Sequence, residues 1–153
     1  MALRIKKKGL DDTIRTLESL RNPVDKRTAK SAANAAVKEM KKLISGGKSP
    51  IAGISFDKLT KKYADSKKRG NRKPNLKLSG KFLKSLQGRA AKIGKAWVSR
   101  ISYTTSLSKD KERWHREAKS SRPTIPEDGE KFKRSVIDAY MKVIRAGIKR
   151  RKK

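Results

Sequence analysis

The chain has 153 residues, 34% hydrophobic and 38% charged, with a mean hydropathy of −0.87 and a formal charge of +30 from 44 Lys+Arg against 14 Asp+Glu. That length suits one domain with a modest core, and the periodic placing of the apolar residues argues against full disorder. Zero cysteines exclude a disulfide framework, a thiolate nucleophile and a zinc-thiolate site.

Ala2 to Lys8 alternates Leu3 and Ile5 with Arg4 and Lys6 before Gly9, the pattern of a short half-buried edge strand. Asp11 or Asp12 then caps a short helix with Ile14, Leu17 and Leu20 facing inward, stopped at Asn22-Pro23. From Val24 or Asp25 a longer helix is predicted to run to about Ser45. Ala29, Ala32, Ala33, Ala36, Val37, Met40, Leu43 and Ile44 form its apolar stripe, and Gly46-Gly47 ends it. So many small residues let a neighbouring element approach closely, which marks this as the central core helix.

Ser49 to Gly53 reads as a loop. Phe56, Leu59 and Tyr63 at helical spacing then open an amphipathic segment, and Ser66 to Asn75 is a basic loop too polar to bury. A second short helix enters at Ser79, with Leu78, Phe82, Leu83 and Leu86 on one face. Arg89 to Ile93 and Ala96 to Tyr103 alternate around Gly94-Lys95 as a β-hairpin, with Trp97, Ser99 and Ile101 on one side. Thr104 to Asp110 reads as a connector and Lys111 to Lys119 as a short helix holding Trp114 and His115. Glu127-Asp128-Gly129-Glu130 is expected to start the last helix, where negative charge complements the dipole. Phe132, Val136, Ile137, Tyr140, Val143, Ile144 and Ile148 continue its stripe, and the last five residues should fray. The change from a period near four to two and back predicts an α+β fold. In it a small antiparallel sheet packs against the long central helix and the C-terminal helix, with a long basic loop. Residues 1–148 form the single domain and 149–153 a basic tail.

Nothing in the sequence assembles a catalytic site. His115 is the only histidine; Glu112 lies three residues before it, and two ligands at that spacing are a weak metal signal, so His115 is read as structural or interfacial. Gly46-Gly47-Lys48-Ser49 lacks the earlier glycine of a phosphate loop. No enzyme activity and no cofactor or metal are expected. No apolar run approaches the roughly 20 residues of a membrane span, and no signal-peptide core follows the basic start. A soluble, unexported protein with no membrane partner is the expectation.

Charge is distributed unevenly. Between Asp65 and Asp110 there is no acid, and after Asp138 the bases are again unopposed. Such fields favour polyanions or acidic protein surfaces. Lys67, Lys68, Arg69, Arg72 and Lys73 in the loop, with Lys149, Arg150, Arg151, Lys152 and Lys153 at the end, are the candidate polyanion or partner contacts.

A further pattern runs through Phe56, Leu59-Thr60, Tyr63-Ala64, Lys67, Pro74, Leu78-Ser79-Gly80, Leu83 and Ser85-Leu86. With Gly9-Leu10-Asp11 ahead of it, and His115, Arg122-Pro123 and Ile125-Pro126 after it, it spans most of the chain. In this order the chain resembles the tailed-bacteriophage virion morphogenesis and tail-completion proteins, the neck proteins that join head to tail. Where that family often has an aromatic or Gln-Phe-Gly run after the histidine, this chain has Arg116-Glu117-Ala118.

The resemblance implies a structural virion protein, assembled in the host cytoplasm. It would form a homo-oligomeric ring, hexamer-like or twelve-fold, between the portal or adaptor and the tail, completing the tail and letting DNA pass. The alternative, carried by charge and the Lys/Arg tail, is a nucleic-acid-binding module of ribosomal or chromatin type. Neither the RNA-recognition aromatic signature nor zinc-knuckle cysteines accompany it. For a neck protein any DNA contact is expected to be weak and non-specific.

Overall fold

A computed structural model describes residues 24–59, 61, 81–117 and 122–151. The expected N-terminal strand and helix, Tyr63, the basic loop and Leu78-Ser79-Gly80 lie outside the described residues, as do Lys152 and Lys153. The fold is α+β: α1 (Lys26–Ser45), α2 (Lys81–Ser85), β1 (Leu86–Ile93), β2 (Ala96–Tyr103), α3 (Ser106–Glu117) and α4 (Arg134–Arg151).

Helix α1 carries the architecture. Asp25 caps it, accepting from the Thr28 N–H at 2.6 Å, and this hydrogen bond holds its carboxyl below the usual range. At the other end Gly47 takes φ 77°, while the Lys48 N–H reaches the Leu43 carbonyl and the Gly47 N–H that of Ile44, both at 3.0 Å. This is a Schellman ending, which needs a residue tolerant of positive φ. The Gly-Gly-Lys-Ser stretch thus serves as a helix stop.

Between the caps, Ala29, Ala32, Ala33, Ala36, Val37, Met40 and Ile44 are buried as predicted. On one side lies the two-stranded antiparallel sheet, paired from Leu86↔Tyr103 to Ile93↔Ala96. Its two-residue turn has Gly94 at φ 56°, matching the twist of a hairpin. The Ser99 hydroxyl donates to the Ala29 carbonyl at 2.7 Å, and Lys26 Nζ stands 5.5 Å over the Trp97 ring. On the other side α4 runs antiparallel to α1. Gly147 meets Thr28, and Arg151 Nη2 lies 2.9 Å from the Asp25 carboxylate.

Ala36, Val37, Met40, Ile44, Phe56, Phe82, Leu83, Leu86, Tyr103 and Val136 make one core. Several expected boundaries are corrected. Leu86 opens β1 instead of extending the helix of Phe82 and Leu83, yet all three point into the same core because the chain turns at Ser85. The Ser85 hydroxyl donates to the Phe82 carbonyl at 2.7 Å, and the Ser85 carbonyl accepts from the Thr104 N–H at 2.9 Å. Phe56 and Leu59 lie in irregular chain, not a helix; the carbonyls of Asp57 and Lys58 accept from the Arg122 side chain at 3.2 and 3.3 Å.

Helix α3 starts at Ser106 and absorbs most of the predicted connector. Thr105 caps it, with Oγ1 and carbonyl both accepting from the Ser108 N–H. The last helix begins at Arg134, not at the acidic cluster, and it continues through Lys149, Arg150 and Arg151 instead of fraying there. Phe132, expected on its stripe, bridges Ile51 in extended pairing, with Ala52 N–H to Lys131 carbonyl at 2.8 Å and Lys133 N–H to Pro50 carbonyl at 2.7 Å.

Candidate functional site

Phe82, beside Leu83 of the sequence pattern, packs against His115. Its ring stacks on Tyr103 at 4.6 Å and lies 5.5 Å from the His115 ring. Leu83, Ser85 and Leu86 are buried beside it, so these motif positions belong to the core. From α3, Glu112 reaches across to the Arg-Pro-Thr-Ile-Pro segment. Its Oε1 accepts from the Thr124 and Ile125 N–H groups at 2.8 and 3.0 Å, and its Oε2 from the Thr124 hydroxyl at 2.5 Å. Thr124 thereby donates its only hydroxyl proton to a carboxylate, so in the 2.6 Å contact with Tyr103 it is the phenol that donates.

Burial, helped by the nearby Glu112 carboxylate, pushes the Tyr103 pKa far up and keeps the phenol protonated. The phenol and hydroxyl of this relay are buried, with Thr124 0% and Tyr103 3% exposed, while Glu112 is half-buried. It pins a loop that has no regular partner for its backbone donors. Arg116 completes the fastening. Its guanidinium donates to the Ile125 carbonyl and pairs with Glu127 at 2.8 Å and Glu130 at 3.1 Å.

The acidic cluster predicted to start a helix instead forms a turn at Gly129 (φ 86°) that clamps Arg116. Glu130 also accepts from the Glu127 N–H at 2.8 Å, and its pKa is lowered chiefly by that bond. His115 is half-buried; burial lowers its pKa, Glu112 opposes this, and Arg122 and Lys111 add to it. Glu112 therefore serves as a loop anchor. Among the described residues no cluster of three or more His, Asp or Glu could hold a metal ion.

Pro123 is buried, whereas Ile125 and Pro126 line an open apolar groove of about 320 Å³. Its other walls are Ala36 of α1, Ser99 and Ile101 of β2, Phe132, and Val136, Ile137 and Tyr140 of α4. Sequence reasoning assigned each of these residues to an element but not to a shared surface, because the groove is made where four elements fail to close. Beyond it, Ile93, Leu107 and Trp114 are large apolar side chains that stand exposed, as does Ile137 on the groove wall itself.

Of the predicted basic contacts, Lys149 and Arg150 are exposed on the final turn of α4, and Arg151 pairs with Asp25. Lys142, Arg145 and Lys149 form an outward basic stripe on that helix at spacings of three and four. Lys67, Lys68, Arg69, Arg72 and Lys73 lie outside the described residues. No described helix is long and apolar enough to cross a membrane. Comparison with protein-family models, with curated proteins and with solved structures finds no match to this chain.

Proposed function

We propose that this chain is a non-enzymatic structural protein of a tailed-phage virion, a neck subunit whose copies form a ring that completes the tail or joins it to the head while DNA passes through. The observation that carries the assembly half of this reading is the open apolar groove, with Ile137 left 38% exposed on its wall on a chain otherwise rich in charge. Apolar surface gathered in this way marks an interaction site. The identity half rests on the residue pattern from Phe56 through Leu86 to Pro126. Its apolar members Phe56, Leu83 and Leu86 supply core, and its Ile125-Pro126 part forms one wall of the groove. Portal or adaptor and tail proteins are then the neighbours.

A second reading, a basic nucleic-acid module, draws on the outward stripe Lys142, Arg145 and Lys149. Sedimentation of the purified chain, freed of nucleic acid, separates the two. A ring-sized assembly without nucleic acid supports the neck subunit. A monomer that binds any duplex tightly overturns it in favour of the module.

A further inference from the structure

The hairpin overhangs the body of the molecule. Lys92 pairs with Trp97, and Trp97 sits against Lys26, the first residue of α1, so among the described residues the turn beyond that level has no helix beneath it. Residues 92–96 are all exposed, and at their centre Ile93 is 57% exposed between Lys92 and Lys95. An apolar side chain carried outward in a basic frame is a knob without a socket among the described residues. The tip points away from its own groove, whose nearest wall residue on β2, Ser99, lies three residues down the strand from Ala96, about 10 Å at ~3.3 Å per residue.

The groove lies in the least basic part of the chain. Of the chain's 44 Lys+Arg and 14 Asp+Glu, eight and seven lie between Asp110 and Asp138, leaving 36 and seven for the rest. This near-neutral stretch supplies the groove's rim. Glu127 and Asp128 follow Pro126 directly, and Asp138 follows Ile137, itself 38% exposed in the groove wall. Arg134 pairs with Asp138 at 3.0 Å and Arg116 with Glu127, while Asp128 makes no ion pair among the described residues. The hairpin, by contrast, carries Arg89, Lys92, Lys95 and Arg100 and no acid.

We infer that the occupant of the groove is a second copy of this chain, whose hairpin tip inserts Ile93 against Ile137, Ile125 and Phe132 while Lys92 and Lys95 face Asp128 and the neighbouring rim carboxylates. Knob and socket sit on different parts of one chain, so the contact is head-to-tail. Repeated contacts of this kind close a ring if the rotation allows and otherwise grow a filament. The inference deepens the proposed ring reading and rests on it for closure.

The absence of native cysteine makes the test direct. One full-length chain carries Ile93→Cys and another Ile137→Cys; both positions are exposed, so neither change opens the core. The two are mixed, oxidised with copper–phenanthroline and run on a non-reducing gel. A disulfide needs Cα atoms about 4.4–6.8 Å apart, and the expected product is the mixed 93–137 dimer, at least tenfold above either chain oxidised alone. Lys92→Glu with Lys95→Glu should abolish it.

Predominant 93–93 or 137–137 products overturn the inference, as does capture of the Ile93→Cys chain by a Trp114→Cys chain instead. Wild-type sedimentation keeps the two readings apart. A ring without the 93–137 bond sinks the tip-in-groove contact and spares the neck subunit. A 93–137 bond in open filaments supports the contact and counts against the ring. A monomer at every concentration with no bond overturns both.

Discussion

A β-carbon on Gly88 would stand 2.5 Å from the carbonyl carbon of Ala33 and 2.7 Å from its Cβ, so β1 and α1 meet backbone to backbone. The alanine stripe of α1 has its purpose here, since a larger residue at position 33 or 88 would lift the hairpin off the helix. Gly88→Ala is expected to destabilise the fold by about 1–3 kcal/mol or more, because the obstructing atoms are main chain and cannot rotate away. At the hairpin turn Gly94 has nothing within 4 Å of an added β-carbon, and Gly94→Ala should cost only the positive-φ penalty of about 1–2 kcal/mol. Urea denaturation of both variants checks the order. Equal losses would mean that the close approach is absent.

Phe82 is 6% exposed and packed between Tyr103 and His115. Phe82→Ala should lower stability by about 3–5 kcal/mol by emptying that space. Unchanged thermal stability with lost assembly would move Phe82 from core to interface.

The parts of this fold that were legible from sequence are those set by short-range chemistry. Asp25 as cap, the alanine stripe, Gly46-Gly47 as stop and Gly94-Lys95 as turn each declare themselves within a few residues. The errors share a cause. The Glu127–Glu130 cluster looks like a helix start until Arg116, distant in sequence, claims its carboxylates. Phe56 keeps helical spacing while Arg122 takes the carbonyls next to it. The groove was invisible for the same reason, being the gap among elements whose relative placing no local pattern encodes.

The Glu112 carboxylate is the common acceptor for the Thr124 and Ile125 N–H groups and the Thr124 hydroxyl. Glu112→Ala leaves those donors without their acceptor and the Arg122–Pro126 segment unpinned. A loss of about 3 kcal/mol is expected, in line with hydrogen bonds to a charged group. Tyr103→Phe removes one outer donor and should cost about 1 kcal/mol. In a double-mutant cycle the two losses should be non-additive. Strict additivity would show that the phenol and the carboxylate are not linked through Thr124.

His115 sets a pH dependence. Burial holds its folded pKa below the ordinary value near 6.5, so between those two pKa values the unfolded chain binds more protons than the folded one. The stability that this group contributes is fully present above about 6.5 and is lost as pH falls through that value toward the folded pKa. Denaturation midpoints taken from pH 7.5 down to 5 should therefore decline, and His115→Gln should flatten the decline. The lowered carboxylates of Asp25 and Glu130 act in a more acidic window, above their unfolded values of 3.8 and 4.5 and lost below them. A midpoint that rises on acidification through 6.5 would contradict the buried, neutral imidazole.

Lys142, Arg145 and Lys149 face solvent along α4, and the nearest acid on that face, Asp138, is already paired with Arg134 at 3.0 Å. If this stripe meets DNA passing through an assembled ring, each neutralised phosphate adds about 0.9 to the log-log salt slope of duplex binding. Replacing all three with glutamine should then flatten the slope by up to about 2.7 and do so equally for unrelated sequences, because phosphate contacts carry no base information. Stability should hardly change, since the side chains are solvated and make no core contact. Titration of a labelled duplex at several salt concentrations reads the slope directly. A slope unchanged in the triple variant would remove the stripe from any DNA path, and tight binding to a single sequence at physiological salt would favour the nucleic-acid module over the neck subunit.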